Sequence, residues 1–142
     1  MDIGQKIYDL RRARGLTQAQ LAKMVGVSEA AIRAYETGRR RPKQAHLERI
    51  AAALEIRPEA IADYGIESAD EVIHLLFRLE RRWKLRPEEV VDGHFFLESS
   101  DGDVFAAVHA WGEMRSRLDA GEITVEEYEL WQDTYTSKKY VG

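Results

Sequence analysis

The chain contains no cysteine. Disulfides and thiolate metal sites are therefore excluded, and a reducing cytosol fits that usage. No apolar run approaches the roughly 18 residues of a membrane span. The opening residues meet Lys6 and Arg11 before any apolar core of a signal peptide. A cytoplasmic protein with no membrane partner is expected. Glycine-rich phosphate loops of the P-loop or dinucleotide type are missing. His74, His94 and His109 lack the i, i+4 histidine partner of a zinc-binding helix, so neither metal nor other cofactor is expected. Asp101-Gly102-Asp103 is a fragment of a calcium loop without the remaining ligands, and reads as a turn and helix N-cap. The acid pairs Glu88-Glu89 and Glu126-Glu127 read as first-turn and surface charges. No serine, histidine and acid combine into a catalytic set. The expectation is a protein that is not an enzyme.

What is present is a charge division. The net charge of −4 comes from two unlike halves. Residues 1–64 hold 12 Lys+Arg against 8 Asp+Glu, and residues 65–142 hold 9 against 17. The sign changes near a short junction, Gly65-Ile66-Glu67, which suggests two modules, residues 1–64 and 68–142. Phosphate attraction belongs to the first. The acidic second module should face away from nucleic acid.

The first module is organised around Thr17 to Glu36. Leu21, Ala22 and Val25 share one helical face, and Ile32 and Tyr35 share a face of the next helix. Gly26 between them tolerates the positive φ of a tight turn. Thr17 and Ser28 are N-caps in waiting. This is a helix-turn-helix pattern, in which the second helix enters the major groove of DNA. Around it, Ile3, Ile7 and Leu10 mark a first helix that stops at Gly15. Leu47, Ile50, Ala51 and Leu54 mark a fourth, Pro58 opens a short fifth, and Ala60, Ile61 and Tyr64 are expected to close the core.

The run IGQKIYDLRRARGLTQAQLAKMVGVSEAAIRAYETGRRRP resembles the lambda-repressor-like family of helix-turn-helix proteins, also called Cro/C1-type or XRE-type. Gly15, Leu16, Gln18, Leu21, Ala22, Gly26, Val27, Ile32, Glu36, Gly38 and Pro42 all fit its spacing, and the resemblance covers residues 3–63. It implies a five-helix fold and double-stranded DNA as partner. It also implies base reading from the start of the third helix, at Ser28, Glu29, Ala30 and Arg33. By chemistry, Arg33 suits guanine O6 and N7, Glu29 suits cytosine N4, and Ala30 suits a thymine methyl. For Glu29, a first-turn carboxylate favouring the helix dipole is the plain alternative. With Ala30 and Ala34 offering little hydrogen bonding, DNA shape should carry part of the specificity. The resemblance further places Gln18 on a phosphate. Arg39, Arg40, Arg41 and Lys43 follow the reading helix where phosphates would pass. Arg11 and Glu36 stand where the family often has a structural ion pair.

In the second module, Ser68 and Glu71 make a capping box before a helix through Val72, Leu76, Leu79 and Trp83. Arg86-Pro87 is expected to stop that helix. Glu89-Val90-Val91 and His94 to Leu97 then flank Asp92-Gly93, a hairpin signal with a type I′ turn. A helix over residues 101–120 follows, then a second capping box, Thr124 with Glu127, and a last helix. Residues 138–142 read as a frayed end. The chain is thus expected to be mainly α: a five-helix DNA-binding domain, then a small α+β domain of helix, hairpin and two helices. All three tryptophans and all four phenylalanines lie in the second half. They form its own core, join a second copy in a homodimer, or line a site for a protein partner or small-molecule effector. The leading expectation is a dimeric, sequence-specific transcriptional repressor. The alternative is an antitoxin-like or anti-regulator module whose second half grips another protein.

Overall fold

A computed structural model describes residues 2–137 of the chain; the fraying expected over residues 138–142 lies outside the described residues. The chain divides into two compact units. The first holds residues up to Tyr64 together with Trp131–Tyr135. It contains α1 (Ile3–Ala13), α2 (Gln18–Val25), α3 (Glu29–Glu36), α4 (Gln44–Ala53) and a 3-10 helix, Pro58–Ile61. Each boundary has a local cause. Thr17 and Gln20 form a reciprocal capping box at the start of α2, and the Ser28 hydroxyl accepts from the Ala31 N–H to start α3. Gly26 ends α2 at φ 80°, in the left-handed region that glycine enters without a Cβ penalty.

The fifth element is a 3-10 helix rather than an α-helix. Four residues give room for little beyond one tight turn, closed by the Ala60 N–H on the Arg57 carbonyl at 3.0 Å. Twelve buried apolar residues form the core, among them Ile7, Leu21, Ile32, Ile50, Leu54 and Ile61, whereas Tyr64, expected to close it, lies past the 3-10 helix and is exposed.

The sequence places residues 131–135 in the second module; in the structure they group with the first unit. Asp133 is the reason. It is buried, its carboxylate accepts from the Lys6 ammonium at 2.5 Å, and its carbonyl accepts from the Arg57 N–H at 2.7 Å. Nothing in local periodicity signals a contact 127 residues away in sequence.

The second unit contains α5 (Ala69–Trp83), β1 (Leu85–Val91), β2 (His94–Ser99), α6 (Gly102–Asp119) and the first part of α7 (Val125–Thr134). The capping boxes at Ser68–Glu71 and Thr124–Glu127 both form. Asp101 caps α6 by accepting from the Asp103 and Val104 N–H groups. Lys84, at φ 54°, ends α5 before Arg86-Pro87 is reached. The strand therefore starts at Leu85, and Pro87 lies inside it opposite Leu97. Proline is tolerated there because each strand of a two-stranded sheet has an open edge that needs no donor. At the hairpin tip, Asp92 and Gly93 both have positive φ, as a type I′ turn requires. An irregularity between Glu89 and Val91 shifts the pairing there.

This unit lacks the core that its aromatic content suggests. Tyr128 is its one buried apolar side chain among the described residues, and all four phenylalanines are exposed. Among the described residues no helix is long and apolar enough to cross a membrane.

Candidate nucleic-acid interface

The candidate surface is built on α3. Ile32 and Tyr35 anchor one side of this helix in the core, at 0% and 2% exposure. The Tyr35 hydroxyl also meets His46 Nδ1 of α4 at 2.9 Å. The opposite side presents Glu29, Ala30 and Arg33 to solvent, with Ser28 exposed as the cap. Helical spacing alone imposes this division, since i and i+3 or i+4 share a face. Arg33 and Glu29 pair across one turn at 3.5 Å, an exposed contact that a better partner can displace at little cost.

Beneath this face lies the most buried charge in the unit. Arg11 Nε and Nη2 donate to the two Glu36 carboxylate oxygens at 2.5 and 3.1 Å, and both side chains are buried. Glu36 holds the Arg11 guanidinium protonated above its ordinary range, chiefly through this hydrogen bond and against the opposing effect of burial. Arg11 Nη1 donates further to the Leu16 carbonyl at 2.8 Å. Gln18 Nε2 donates to Glu36 Oε2 at 2.8 Å. Glu36 therefore ties α1, the α1–α2 turn and the start of α2 to the end of α3. Gln18 leaves one amide hydrogen for another acceptor.

The basic run follows directly. Arg39, Arg40, Arg41 and Lys43 are all exposed between α3 and α4. Arg41 is ion-paired with Asp63. Surface pairs of this kind contribute little and are screened by salt, so Arg41 keeps most of its attraction for phosphate.

A family model described as Helix-turn-helix matches residues 7–61. The immunity repressor protein of Bacillus phage phi105 is 32% identical over 141 residues, covering 99% of this chain and 96% of that protein. The chain belongs to the lambda-repressor-like helix-turn-helix family. A second relative, the cryptic phage CTXphi transcriptional repressor RstR of Vibrio cholerae serotype O1, is 34% identical over 99 residues, covering 70% of this chain and 87% of that protein. Among solved structures, the P22 c2 repressor protein in complex with a synthetic operator is 32% identical, covers 44% of this chain and 96% of that chain, and gives a TM-score of 0.43.

Within this helix-turn-helix, three further positions hold α2 and α3 in place. Gly4 lies inside α1, where a Cβ would meet the Tyr35 carbonyl oxygen at 2.5 Å and that of Glu36 at 2.7 Å. Glycine thus lets α1 approach the end of α3. Arg49 of α4 donates to the Val25 carbonyl at 3.4 Å, satisfying an acceptor at the C-terminus of α2. Gln20 completes the capping box of α2; a glutamine three residues after Thr17 is the signal that reveals it.

Proposed function

We propose that this chain is a sequence-specific transcriptional repressor that reads double-stranded DNA as a dimer. The observation that carries it is the exposed Ser28–Arg33 face of α3, fixed from behind by Arg11 and Glu36 and continued by four exposed cations. The names of the relatives, an immunity repressor and a transcriptional repressor, support the direction of regulation.

In this reading α3 lies in the major groove. Arg33 exchanges Glu29 for guanine O6 and N7, Glu29 accepts from a cytosine amino group, and the Ala30 methyl meets a thymine methyl. Gln18 gives its remaining amide hydrogen to a phosphate at the start of α2, where the helix N-terminus adds partial positive charge. Arg39, Arg40, Arg41 and Lys43 contact backbone phosphates and set register and orientation. Few base-reading groups are present, so sequence-dependent DNA shape supplies part of the discrimination. The second unit, with net acidic charge, stays off the DNA. A cytoplasmic location follows from this role.

The test is selection of bound duplexes from a random pool at about 0.15 M salt, where nonspecific binding is weak. Enrichment of a palindrome with half-sites about 10–11 base pairs apart is expected. A folded protein that enriches nothing would sink stand-alone reading of DNA.

A further inference from the structure

Asp133 is a buried carboxylate outside the reading face. It is 5% exposed and comes from the last turn of α7, far in sequence from the elements it meets. It has two attachments within the first unit. Its side chain accepts from the Lys6 ammonium of α1 at 2.5 Å. Its main-chain carbonyl accepts from the Arg57 N–H at 2.7 Å, where the 3-10 helix starts. The carbonyls of a last helical turn lack partners inside the helix, so this bond satisfies the end of α7. A lysine at that end also suits the helix dipole.

Lys6 stands between the two places where α1 grips the end of α3. On one side of it, Gly4 lies against the Tyr35 and Glu36 carbonyls with no room for a Cβ. On the other, Arg11 is paired with Glu36. The 3-10 helix adds Ile61 to the same core. Asp133 therefore ties the helix that holds α3 to the segment that closes the core behind it. A buried ion pair is weak evidence for stability, because desolvation offsets the attraction and an apolar pair often serves as well. What its directed hydrogen bonds add is a fixed geometry.

We propose, resting on the reading of DNA by α3, that Asp133 is a positioning residue for that reading. It makes no contact with DNA. It holds α1 where Gly4 and Arg11 set the end of α3, and so sharpens discrimination between duplexes.

The experiment uses the full chain, the duplex that the natural chain enriches most, and a scrambled duplex of the same length. Asp133→Asn keeps the shape and the main-chain carbonyl and removes the charge. Loss of a negative charge by itself favours DNA, since it reduces repulsion of phosphate. The expected result has the opposite sign. Affinity for the enriched duplex falls about tenfold, the scale of changes made away from a binding site, and affinity for the scrambled duplex does not fall. Lys6→Met should give about the same loss, and the two together no more than either alone, as for partners in one interaction. The salt slope should be unchanged in both variants, because neither residue meets a phosphate.

Equal loss on both duplexes, as partial unfolding would give, overturns the proposal and leaves Asp133 a role in stability alone. So does an Asp133→Asn chain that binds the enriched duplex as well as the natural chain or better. Additive losses in the double variant do the same. A salt slope lowered by about 0.9 in Lys6→Met would make Lys6 a phosphate contact and also overturn it. Each of these leaves DNA reading by α3 standing; a natural chain that enriches no duplex removes both.

Discussion

Glu36 accepts three hydrogen bonds at once, two from Arg11 and one from Gln18. Replacing it with alanine leaves a buried guanidinium without its counter-charge. The first unit should lose about 3–5 kcal/mol, read as a lower urea midpoint. Gly4→Ala tests the other side of the same junction. An alanine ordinarily favours a helix interior over glycine by about 1 kcal/mol. Here the methyl would strike the Tyr35 and Glu36 carbonyls, so the variant should instead lose about 1–3 kcal/mol, by the same measurement. Arg33→Ala belongs to recognition and not to stability, since both Arg33 and its partner Glu29 are exposed. It should leave the unfolding curve unchanged and relax preference at one base position by about 1–3 kcal/mol, visible as a flattened column in the selected sites.

At the scale of elements, the segment between α3 and α4 acts as one electrostatic feature. Alanine at Arg39, Arg40, Arg41 and Lys43 together should weaken binding to every duplex alike. Each cation that truly meets a phosphate contributes about 0.9 to the slope of log affinity against log salt, and the slope should fall by that amount per contact. The start of α5 answers to pH instead. The Glu71 carboxylate accepts first from the Glu67 N–H, then from the Ser68 hydroxyl and N–H, which holds its pKa below the ordinary value of 4.5. A lowered folded pKa means that the cap stabilises above the unfolded value and that this contribution is lost as pH falls through the folded value. A carboxyl titration followed by NMR should show Glu71 protonating below the ordinary glutamate value; protonation at that value would remove the cap from the pH response.

For the whole molecule, the first unit is not continuous in sequence. Asp133 supplies it with an ion pair to Lys6 and an acceptor for the Arg57 N–H. A chain ending at residue 130 should therefore unfold its first unit at lower temperature than the full chain. A midpoint unchanged by that truncation would show that the segment adds nothing to the unit's stability.

The helix-turn-helix was legible because its signals are local. The 3.6-residue spacing of Leu21, Val25, Ile32 and Tyr35, the caps Thr17 and Ser28, and Gly26 each act within a few residues of themselves. The hairpin was legible for the same reason, since Asp92-Gly93 suits the two positive φ values of its turn. Its start was misplaced because Lys84 adopts a left-handed conformation that no lysine advertises, and an open sheet edge then accommodates Pro87. The sequence by itself determined the family, the helix-turn-helix and the division of charge. Only the tertiary structure decided that Gly4 must be small, that Asp133 belongs to the first unit, and that the aromatic second half leaves its apolar faces exposed. Those are matters of burial and of contacts between residues far apart in the chain, and the local pattern of a sequence carries neither.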